Sequence, residues 1–268
     1  MNTKYYEHSK NNRNKKNKKN KKTNLTKKKI RLFQPFKKKG LKKHCVLPGF
    51  MLPLPEGIHF QDKETYTNNN DLVDSLIKKG LIKPFSQVES VFRKVDRIDF
   101  CEEYEGCYVD RPIGIQESQT MSAPHMHSYA CSMLTDYLKP GNKVLDVGCG
   151  NGYMCAVFSY MVDIENTKGS VVGIDIYPKL VARAKENIRK NHSHLLLNKK
   201  LKILLGDGWK GYPKDATEPI YDAIHVGACA EELPKSLWNQ LKPGGRMVIP
   251  IKGKDGGEYS SRKLDPNY

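Results

Sequence analysis

The sequence lacks the features that mark a secreted, membrane-embedded or zinc-binding protein. Its seven cysteines are scattered and no two of them form a C-x-x-C pair, so we expect free thiols in a reducing compartment rather than a disulfide framework or a structural zinc site. No apolar run reaches the ~18 residues that a membrane span needs, and no secretory signal opens the chain. We therefore expect a cytoplasmic protein without a membrane contact or a metal ion.

Acidic residues are almost absent from the first 44 positions, which hold 18 lysines and arginines against one acid, Glu7. The rest of the chain has 28 basic and 28 acidic residues, so the net charge of +17 is confined to this segment. Because like charges repel and few apolar groups are available for burial, we expect residues 1–44 to be disordered. Together with a linker they form a basic tail over residues 1–69. The tail is either a nuclear-import signal or tether for nucleic acid, or simply a solvated segment.

The folded part is expected to be one monomeric domain over residues 70–268, in which short helices precede a sheet. The first helix ends at Gly80, and Ser86 with Glu89 forms the capping box of the second. Residues 108–124 have no period and are predicted to be a loop, and residues 125–138 are predicted to be helical.

After residue 140, strands and helices alternate. The predicted strands cover 143–148, 170–175, 201–207, 221–228 and 245–251, and the helices between them cover 151–161, 178–190 and 232–241. Short apolar strands separated by amphipathic helices are typical of a parallel sheet covered on both faces. The fold class is therefore α/β, with a doubly wound, mostly parallel sheet.

A glycine-rich turn follows the first strand of this sheet, in VLDVGCGNG over residues 144–152. Gly148, Gly150 and Gly152 let the backbone approach a ligand closely. Dinucleotide-binding loops usually read G-x-G-x-x-G, whereas here the glycines read G-x-G-x-G behind Asp146. An acid at this place would repel a pyrophosphate but could accept a hydrogen bond from an ammonium group. The turn therefore favours S-adenosylmethionine over a nicotinamide dinucleotide.

Two more acids end the next strands. Asp175 is the last residue of the second strand, where a carboxylate can accept hydrogen bonds from both hydroxyls of a ribose. Asp207 and Gly208 lie at the tip of the third strand, where they could bind an adenine ring. A single acid of this kind more often solvates a loop or caps a helix. Three acids at successive strand ends favour a ligand site, because ligands bind at the carboxyl ends of parallel strands.

Four further stretches resemble one enzyme family, the protein-L-isoaspartate (D-aspartate) O-methyltransferases. They are SQTMSAPHMHSYA (118–130), GDGWKGYP (206–213), YDAIHVGA (221–228) and LKPGGRMVIP (241–250). With the leading helices, the resemblance covers about residues 70–255. It implies an S-adenosylmethionine-dependent fold and methylation of the free carboxylate of L-isoaspartyl or D-aspartyl residues in damaged proteins, as a repair reaction.

The resemblance also implies a role for individual residues. Ser122 matches the active-site serine, which would also contact the substrate. The residues matching the enclosure of the cofactor's methionine end are Gln119, Thr120, Met121 and His127. Further cofactor contacts match Asp146, Gly148, Gly150, Asp175, Asp207 and Gly208, and the loop Val226, Gly227 and Ala228 matches a wall of the peptide groove. In the alternative interpretation, Ser122 only caps the following helix and His127 only packs.

Two departures from the family pattern, and three competing functions, accompany this interpretation. The segment IGIQESQTMS is about two residues longer than in the family. We also expect the family's C-terminal strands to be missing, which would leave a sheet edge unpaired. The motifs show no evident catalytic His–Asp pair, and a carboxylate nucleophile, already ionised near neutral pH, needs none. The alternatives are another methyltransferase acting on RNA, a catalytically impaired binding protein, and lastly a nicotinamide dehydrogenase.

Overall fold

The structure is a computed structural model and describes residues 2–7, 66–104, 106–197, 199–214, 216 and 218–251. Most of the predicted basic tail and the stretch after residue 251 lie outside the described residues. The conclusions below therefore concern the domain.

Two short helices lead into the domain, as predicted. Helix α1 spans Asn69–Lys78 and is followed by Gly80, whose φ of +70° ends it. Helix α2 spans Gln87–Lys94, and the Ser86 hydroxyl accepts a hydrogen bond from the Glu89 amide at 3.2 Å. The Glu89 carboxylate in turn accepts from the amide of Phe85 at 2.6 Å, one residue before the cap. The predicted capping box is thus present in a slightly extended form.

The segment after α2 differs from the expectation in its cysteines. A 3-10 turn over Arg97–Phe100 leads into a loop that a disulfide closes between Cys101 and Cys107. The expectation of free thiols is therefore wrong for this pair. A search for C-x-x-C spacing cannot find it, because five residues separate the two cysteines and the loop brings them together.

A second difference lies in residues 108–124, which are not all loop. Strands β2 (Ile113–Ile115) and β3 (Gln119–Met121) form a small antiparallel hairpin. Its turn contains Glu117 and Ser118, with φ of +60° and +55°. Two successive residues of positive φ are the requirement of the tight turns that match the twist of a hairpin. Residues 116–118 form this turn, and the extra length of the segment relative to the family stays a prediction.

The elements of the main sheet follow in the predicted alternation. Helix α3 spans Pro124–Leu134 and continues as a 3-10 turn over Thr135–Tyr137. The remaining elements are β4 (Lys143–Val147), α4 (Tyr153–Met161), β5 (Ser170–Asp175), α5 (Pro178–His192), α6 (His194–Leu197), β6 (Leu201–Leu205), a 3-10 turn (Gly208–Lys210), β7 (Tyr221–Val226), α7 (Lys235–Gln240) and β8 (Leu241–Ile251).

The sheet has the doubly wound topology that the sequence predicts. Strands β4 to β8 are parallel and lie in the order β8-β7-β4-β5-β6. The chain builds outward from β4 to β6 and then crosses back to place β7 on the other side of β4. Open α/β sheets bind their ligands at such a switch point, beyond the carboxyl ends of the strands.

The outer edge of β8 is paired with another strand of the same chain, contrary to the expectation of an unpaired edge. Residues Asn2–Glu7 form strand β1, which runs antiparallel to Arg246–Ile251 of β8. These six residues are therefore part of the sheet and not of a disordered tail. Composition could not reveal this strand, because its pairing partner β8 lies at the other end of the described chain.

Apolar side chains cover both faces of the sheet. One core joins the leading helices, α3, α4 and α5 to the sheet, and its fully buried members include Phe100, Leu134 and Phe158. The other lies between the opposite face and α7, around Leu145, Ile224 and Leu237. Within the described part of the chain, no helix has the length and apolar character to cross a membrane.

Candidate active site

The glycine-rich turn joins β4 to α4 at the carboxyl edge of the sheet. Gly148, Gly150 and Gly152 all have positive φ, at +72°, +53° and +90°. Gly152 also packs tightly against α5, since a methyl group there would lie 3.0 Å from the Cβ of Ala184. The turn needs glycine for both its backbone shape and its packing.

Asp175, the last residue of β5, is bonded to this turn. One carboxylate oxygen accepts from the amide of Gly150 at 2.9 Å, and the other accepts from the amide of Tyr177 at 3.0 Å. The residue is 7% exposed. Each carboxylate oxygen has a second lone pair, so Asp175 can still accept hydrogen bonds from a ligand. The structure thus brings the predicted strand-end acid and the glycine turn together.

The tip of β6 contributes the third predicted group. Asp207 is exposed and caps the 3-10 turn after β6 by accepting from the amide of Trp209 at 3.1 Å. Gly208 is buried, and a Cβ atom there would come within 2.5 Å of Val147 on β4. Asp207 therefore has the capping role that is common for a single acid, and its contact with a cofactor stays a prediction.

Asp146 lies deeper than the sequence interpretation assumed. It is 1% exposed. One oxygen lies 2.7 Å from Nδ1 of His225 on the neighbouring strand, and the other accepts from the thiol of Cys155 at 3.1 Å. Both oxygens thus have protein partners beneath the glycine turn. A direct contact between Asp146 and a cofactor stays a prediction, and the observed bonds indicate support of the turn from below.

The hairpin carries three of the predicted residues to the site. Gln119 and Thr120 are exposed on β3, and Met121 is buried behind them. Ser122 follows and is half-buried. The cap of α3 is Ala123, which makes no side-chain cap bond, and Pro124 begins the helix. Ser122 therefore does not serve as the helix cap, so the alternative role that the sequence suggested for its hydroxyl is wrong.

His127 and Ser122 meet at a residue that the sequence analysis did not single out. Arg97 is 1% exposed and uses all three guanidinium nitrogens in hydrogen bonds. Nη1 lies 3.2 Å from Nδ1 of His127, Nη2 donates to the carbonyl of Ser122 at 2.8 Å, and Nε donates to the carbonyl of Cys107 at 3.0 Å. One buried cation therefore holds two predicted site residues.

The charge states of Arg97 and His127 follow from their burial and from their proximity to each other. Burial, followed by the charge of Arg97, lowers the pKa of His127 well below its ordinary value, so its ring is neutral near pH 7. Burial also lowers the pKa of Arg97, to about 10, which still leaves the guanidinium charged. The site therefore contains a buried arginine cation beside a neutral imidazole.

The 3-10 turn that carries Arg97 is also bonded to the glycine turn. The carbonyl of Phe100, at the end of that 3-10 turn, accepts from the side chain of Asn151 at 2.7 Å. Asn151 lies between Gly150 and Gly152, and its own carbonyl accepts from Asn187 of α5 at 3.1 Å. The Ser122 segment and the glycine turn are thus joined through residues Arg97–Phe100.

A His–Asp pair that the sequence motifs did not show forms between His125, three residues after Ser122, and Asp110. His125, in the first turn of α3, places Nδ1 2.8 Å from a carboxylate oxygen of Asp110, and that oxygen also accepts from the His125 amide at 2.9 Å. Burial would raise the pKa of Asp110, but the hydrogen bonds and charge of His125, with the charge of Lys79, hold it below the ordinary value. The sequence could not reveal this pair because the hairpin lies between its members.

The predicted groove loop follows β7 beside the glycine turn. Val226 is buried, Gly227 is exposed and Ala228 is half-buried. A Cβ atom on Gly227 would lie 2.9 Å from the carbonyl oxygen of Gly148, so the two loops are in contact. A contact of these three residues with a peptide stays a prediction. In the described part of the chain, no cluster of three His, Cys, Asp or Glu side chains is placed to hold a metal ion.

Similarity to known proteins covers this whole arrangement. A family model described as protein-L-isoaspartate (D-aspartate) O-methyltransferase matches residues 67–263. A protein-L-isoaspartate O-methyltransferase of Triticum aestivum is 44% identical over 193 residues, which cover 72% of this chain and 79% of the relative. Protein-L-isoaspartate O-methyltransferase 1 of Arabidopsis thaliana is 40% identical over 193 residues, covering 72% of this chain and 81% of the relative.

A solved structure agrees with the sequence relatives. A Plasmodium falciparum protein assigned as a protein-L-isoaspartate O-methyltransferase, crystallised with S-adenosyl-L-homocysteine, superposes with a TM-score of 0.66 at 31% identity. The match covers 70% of this chain and 86% of that protein. The family model spans well over half of the chain, and it includes the hairpin, the glycine turn and the strand tips described above. The chain belongs to the protein-L-isoaspartate (D-aspartate) O-methyltransferase family.

Proposed function

We propose that this chain is an S-adenosylmethionine-dependent methyltransferase that methylates the free carboxylate of L-isoaspartyl, or D-aspartyl, residues in damaged proteins. The observation that carries the proposal is the contact network around Arg97, which joins Ser122 and His127 to the glycine turn in a chain of this family. It joins the segment around Ser122, which resembles this family, to the glycine turn, a feature that many methyltransferases share.

The residues at the strand tips fit S-adenosylmethionine. Asp175 can accept ribose hydroxyls, and the glycine turn lets backbone amides approach the ligand. Ile176 and Leu205, at the tips of β5 and β6, are both 58% exposed and offer apolar surface to a flat ring. None of these groups provides the cation that a pyrophosphate would need. When bound, S-adenosylmethionine supplies an electrophilic methyl group on its sulfonium.

The protein's contribution to the chemistry is alignment and exclusion of water. The substrate carboxylate is ionised near neutral pH, so no side chain has to remove a proton from it. The Ser122 hydroxyl would donate a hydrogen bond that orients the carboxylate, and neutral His127 would hold the cofactor's methionine end. Correct alignment of two reactants can contribute up to about 7–11 kcal/mol. The methyl ester would then close to a succinimide, whose hydrolysis returns some normal aspartate.

The proposal is tested with two peptides of identical sequence that differ only in one aspartyl linkage. We expect transfer of labelled methyl from S-adenosylmethionine to the isoaspartyl peptide and none to the normal peptide. Base-labile release of the label as methanol would identify an ester. Equal transfer to both peptides, or transfer only to an RNA, would refute the proposed substrate. Binding of cofactor without any transfer would favour the impaired binding protein instead.

We also propose that residues 1–44 contact polyanions, including nucleic acid or the import machinery of a nucleus. Their local charge of +17 supports this, since each neutralised phosphate releases a counterion and makes binding salt-dependent. Binding of a labelled polynucleotide should weaken steeply with salt and disappear when residues 8–44 are deleted. Binding that is indifferent to salt would contradict the idea.

A further inference from the structure

We infer that Arg97 is a positioning residue for methyl transfer, which fixes the tautomer of His127 and the backbone of Ser122 with one guanidinium group. The inference rests on the proposed function and adds to it a residue outside the family signature quoted above. Arg97 lies before the hairpin, on the 3-10 turn at Arg97–Phe100.

The tautomer of His127 follows from hydrogen-bond chemistry. A guanidinium group carries only donors, so Nδ1 of His127, 3.2 Å from Nη1 of Arg97, has to be the acceptor. The ring is neutral, as established above, so its single proton lies on Nε2. His127 therefore presents an N–H donor on the side away from Arg97. A donor at this place suits a carboxylate, such as that of the cofactor's methionine end.

The position of Ser122 follows from the second branch of the guanidinium. Nη2 donates to the Ser122 carbonyl at 2.8 Å while Nε donates to the Cys107 carbonyl at 3.0 Å. These bonds hold the backbone from which the serine hydroxyl extends, so a displacement of Arg97 moves the hydroxyl. The Phe100 carbonyl, in the same 3-10 turn, bonds the glycine turn through Asn151. Arg97 thereby sets the distance between the serine and the cofactor side of the site.

The geometry explains why the residue is arginine. Three acceptors around one side chain require a planar fork of fixed angles, which lysine lacks. Arg97 forms no ion pair with a carboxylate among the described residues, and its acceptors are two carbonyls and a neutral ring. It is therefore not held in place as one half of a salt bridge. The directions of its hydrogen bonds are its main contribution.

The first test measures the tautomer on the unmodified protein. Two-bond ¹⁵N–¹H spectra of the imidazole groups distinguish a protonated Nε2 from a protonated Nδ1, and the spectrum of His127→Gln identifies the signal. We expect the Nε2–H form near pH 7. A protonated Nδ1 would overturn the inference, since Arg97 cannot donate to it. This arm needs neither a folded Arg97 variant nor any knowledge of the substrate.

The second test compares Arg97→Lys with Arg93→Lys. Arg93 on α2 is also an arginine with several hydrogen-bond acceptors, but these are the carboxylates of Asp74 and Glu89 and its side chain is partly exposed, so the control repeats the chemical change away from the site. Active sites are counted by titration with S-adenosylhomocysteine. Because a displacement of about 1 Å can cost about 10²-fold in rate, we expect kcat per site of Arg97→Lys to fall 10- to 100-fold. Its Kd for S-adenosylhomocysteine should rise at least several-fold, and both values should stay unchanged in Arg93→Lys.

A purely structural arginine would give a different result. It would reduce the number of active sites and the melting temperature, yet leave kcat per site and Kd as in the wild type, and this outcome would overturn the inference. Failure of the proposed function is separable, because it would appear as an inactive wild type with the isoaspartyl peptide. In that case the tautomer and the S-adenosylhomocysteine affinity would still decide the role of Arg97.

Discussion

Replacing Gly152 with alanine tests whether the glycine turn is required for its packing as well as for its backbone. The new methyl group would lie 3.0 Å from the Cβ and 3.2 Å from the Cα of Ala184 on α5. Gly141 provides the control, because its φ of +91° is within 1° of the +90° of Gly152 while nothing lies within 4 Å of its added Cβ. The two substitutions place alanine at the same positive φ, and only the one at Gly152 adds a close contact with α5.

The magnitudes follow from these two contributions. A left-handed conformation costs a residue with a Cβ about 1–2 kcal/mol, and this is the whole expected loss for Gly141→Ala. Overpacking a tight contact adds about 1–3 kcal/mol, so Gly152→Ala should lose about 3 kcal/mol of unfolding free energy. At about 2–4 °C per kcal/mol for a domain of this size, the melting temperature should fall by roughly 6–12 °C.

Urea and thermal denaturation of both variants measure the difference. Binding of S-adenosylhomocysteine should weaken in Gly152→Ala and stay normal in Gly141→Ala, since only the former lies in the turn. Adding Ala184→Gly to Gly152→Ala should recover part of the loss, less about 1 kcal/mol for a glycine inside a helix. If Gly152→Ala destabilises the protein no more than Gly141→Ala, the packing argument is refuted.

Three further predictions concern the site. Asp175→Ala removes the acceptor of the Gly150 amide. Because a hydrogen bond to a charged group contributes about 1.5–3 kcal/mol, the Kd for S-adenosylhomocysteine, measured by calorimetry, should rise about 10- to 100-fold. An unchanged Kd would exclude Asp175 from the cofactor site. Ser122→Ala should lower kcat with an isoaspartyl peptide by a similar factor while the melting temperature stays within about 2 °C, and full turnover would remove Ser122 from the mechanism. The lowered pKa of Asp110 means that its bonds to His125 stabilise the fold above the ordinary carboxyl pKa of about 3.9 and lose that effect as pH falls through the folded-state pKa. The stability difference between wild type and Asp110→Asn should therefore be present above the ordinary carboxyl pKa and shrink below about pH 4, and a difference that persists in acid would contradict this assignment.

The alternation of strands and helices after residue 140 could be predicted because it depends on local pattern. A buried parallel strand needs a short apolar run, and its covering helix needs an apolar stripe, so both leave a periodic signal. Capping is equally local, and Ser86 with Gly80 marks the helix ends found in the structure. The hairpin at Ile113–Met121 was missed because two three-residue strands are too short to show a period.

Only the fold shows that residues of the same type have different environments. Asp146 and Asp175 both lie at the carboxyl end of a strand and both are paired in the ladder, but the Asp146 side chain contacts His225 and Cys155, whereas Asp175, the last residue of its strand, accepts from the glycine turn. Arg93 and Arg97 are four residues apart in one stretch, and one lies at the surface while the other is fully buried. The spacing of Glu89 and Arg93 on α2 can be read from the sequence, but no local pattern shows that Arg97 is buried.

The sequence by itself determined the class of the sheet, the glycine turn and, through the family signature, the enzyme family, because these depend on residues close together in the chain. Only the tertiary structure decided which residues share the site. Contacts between Arg97, Ser122 and His127 span up to 30 residues, and the Asp146–His225 contact spans 79. Such contacts exist only once long loops have closed, and their entropy cost is offset by burial of the whole core rather than by any local preference.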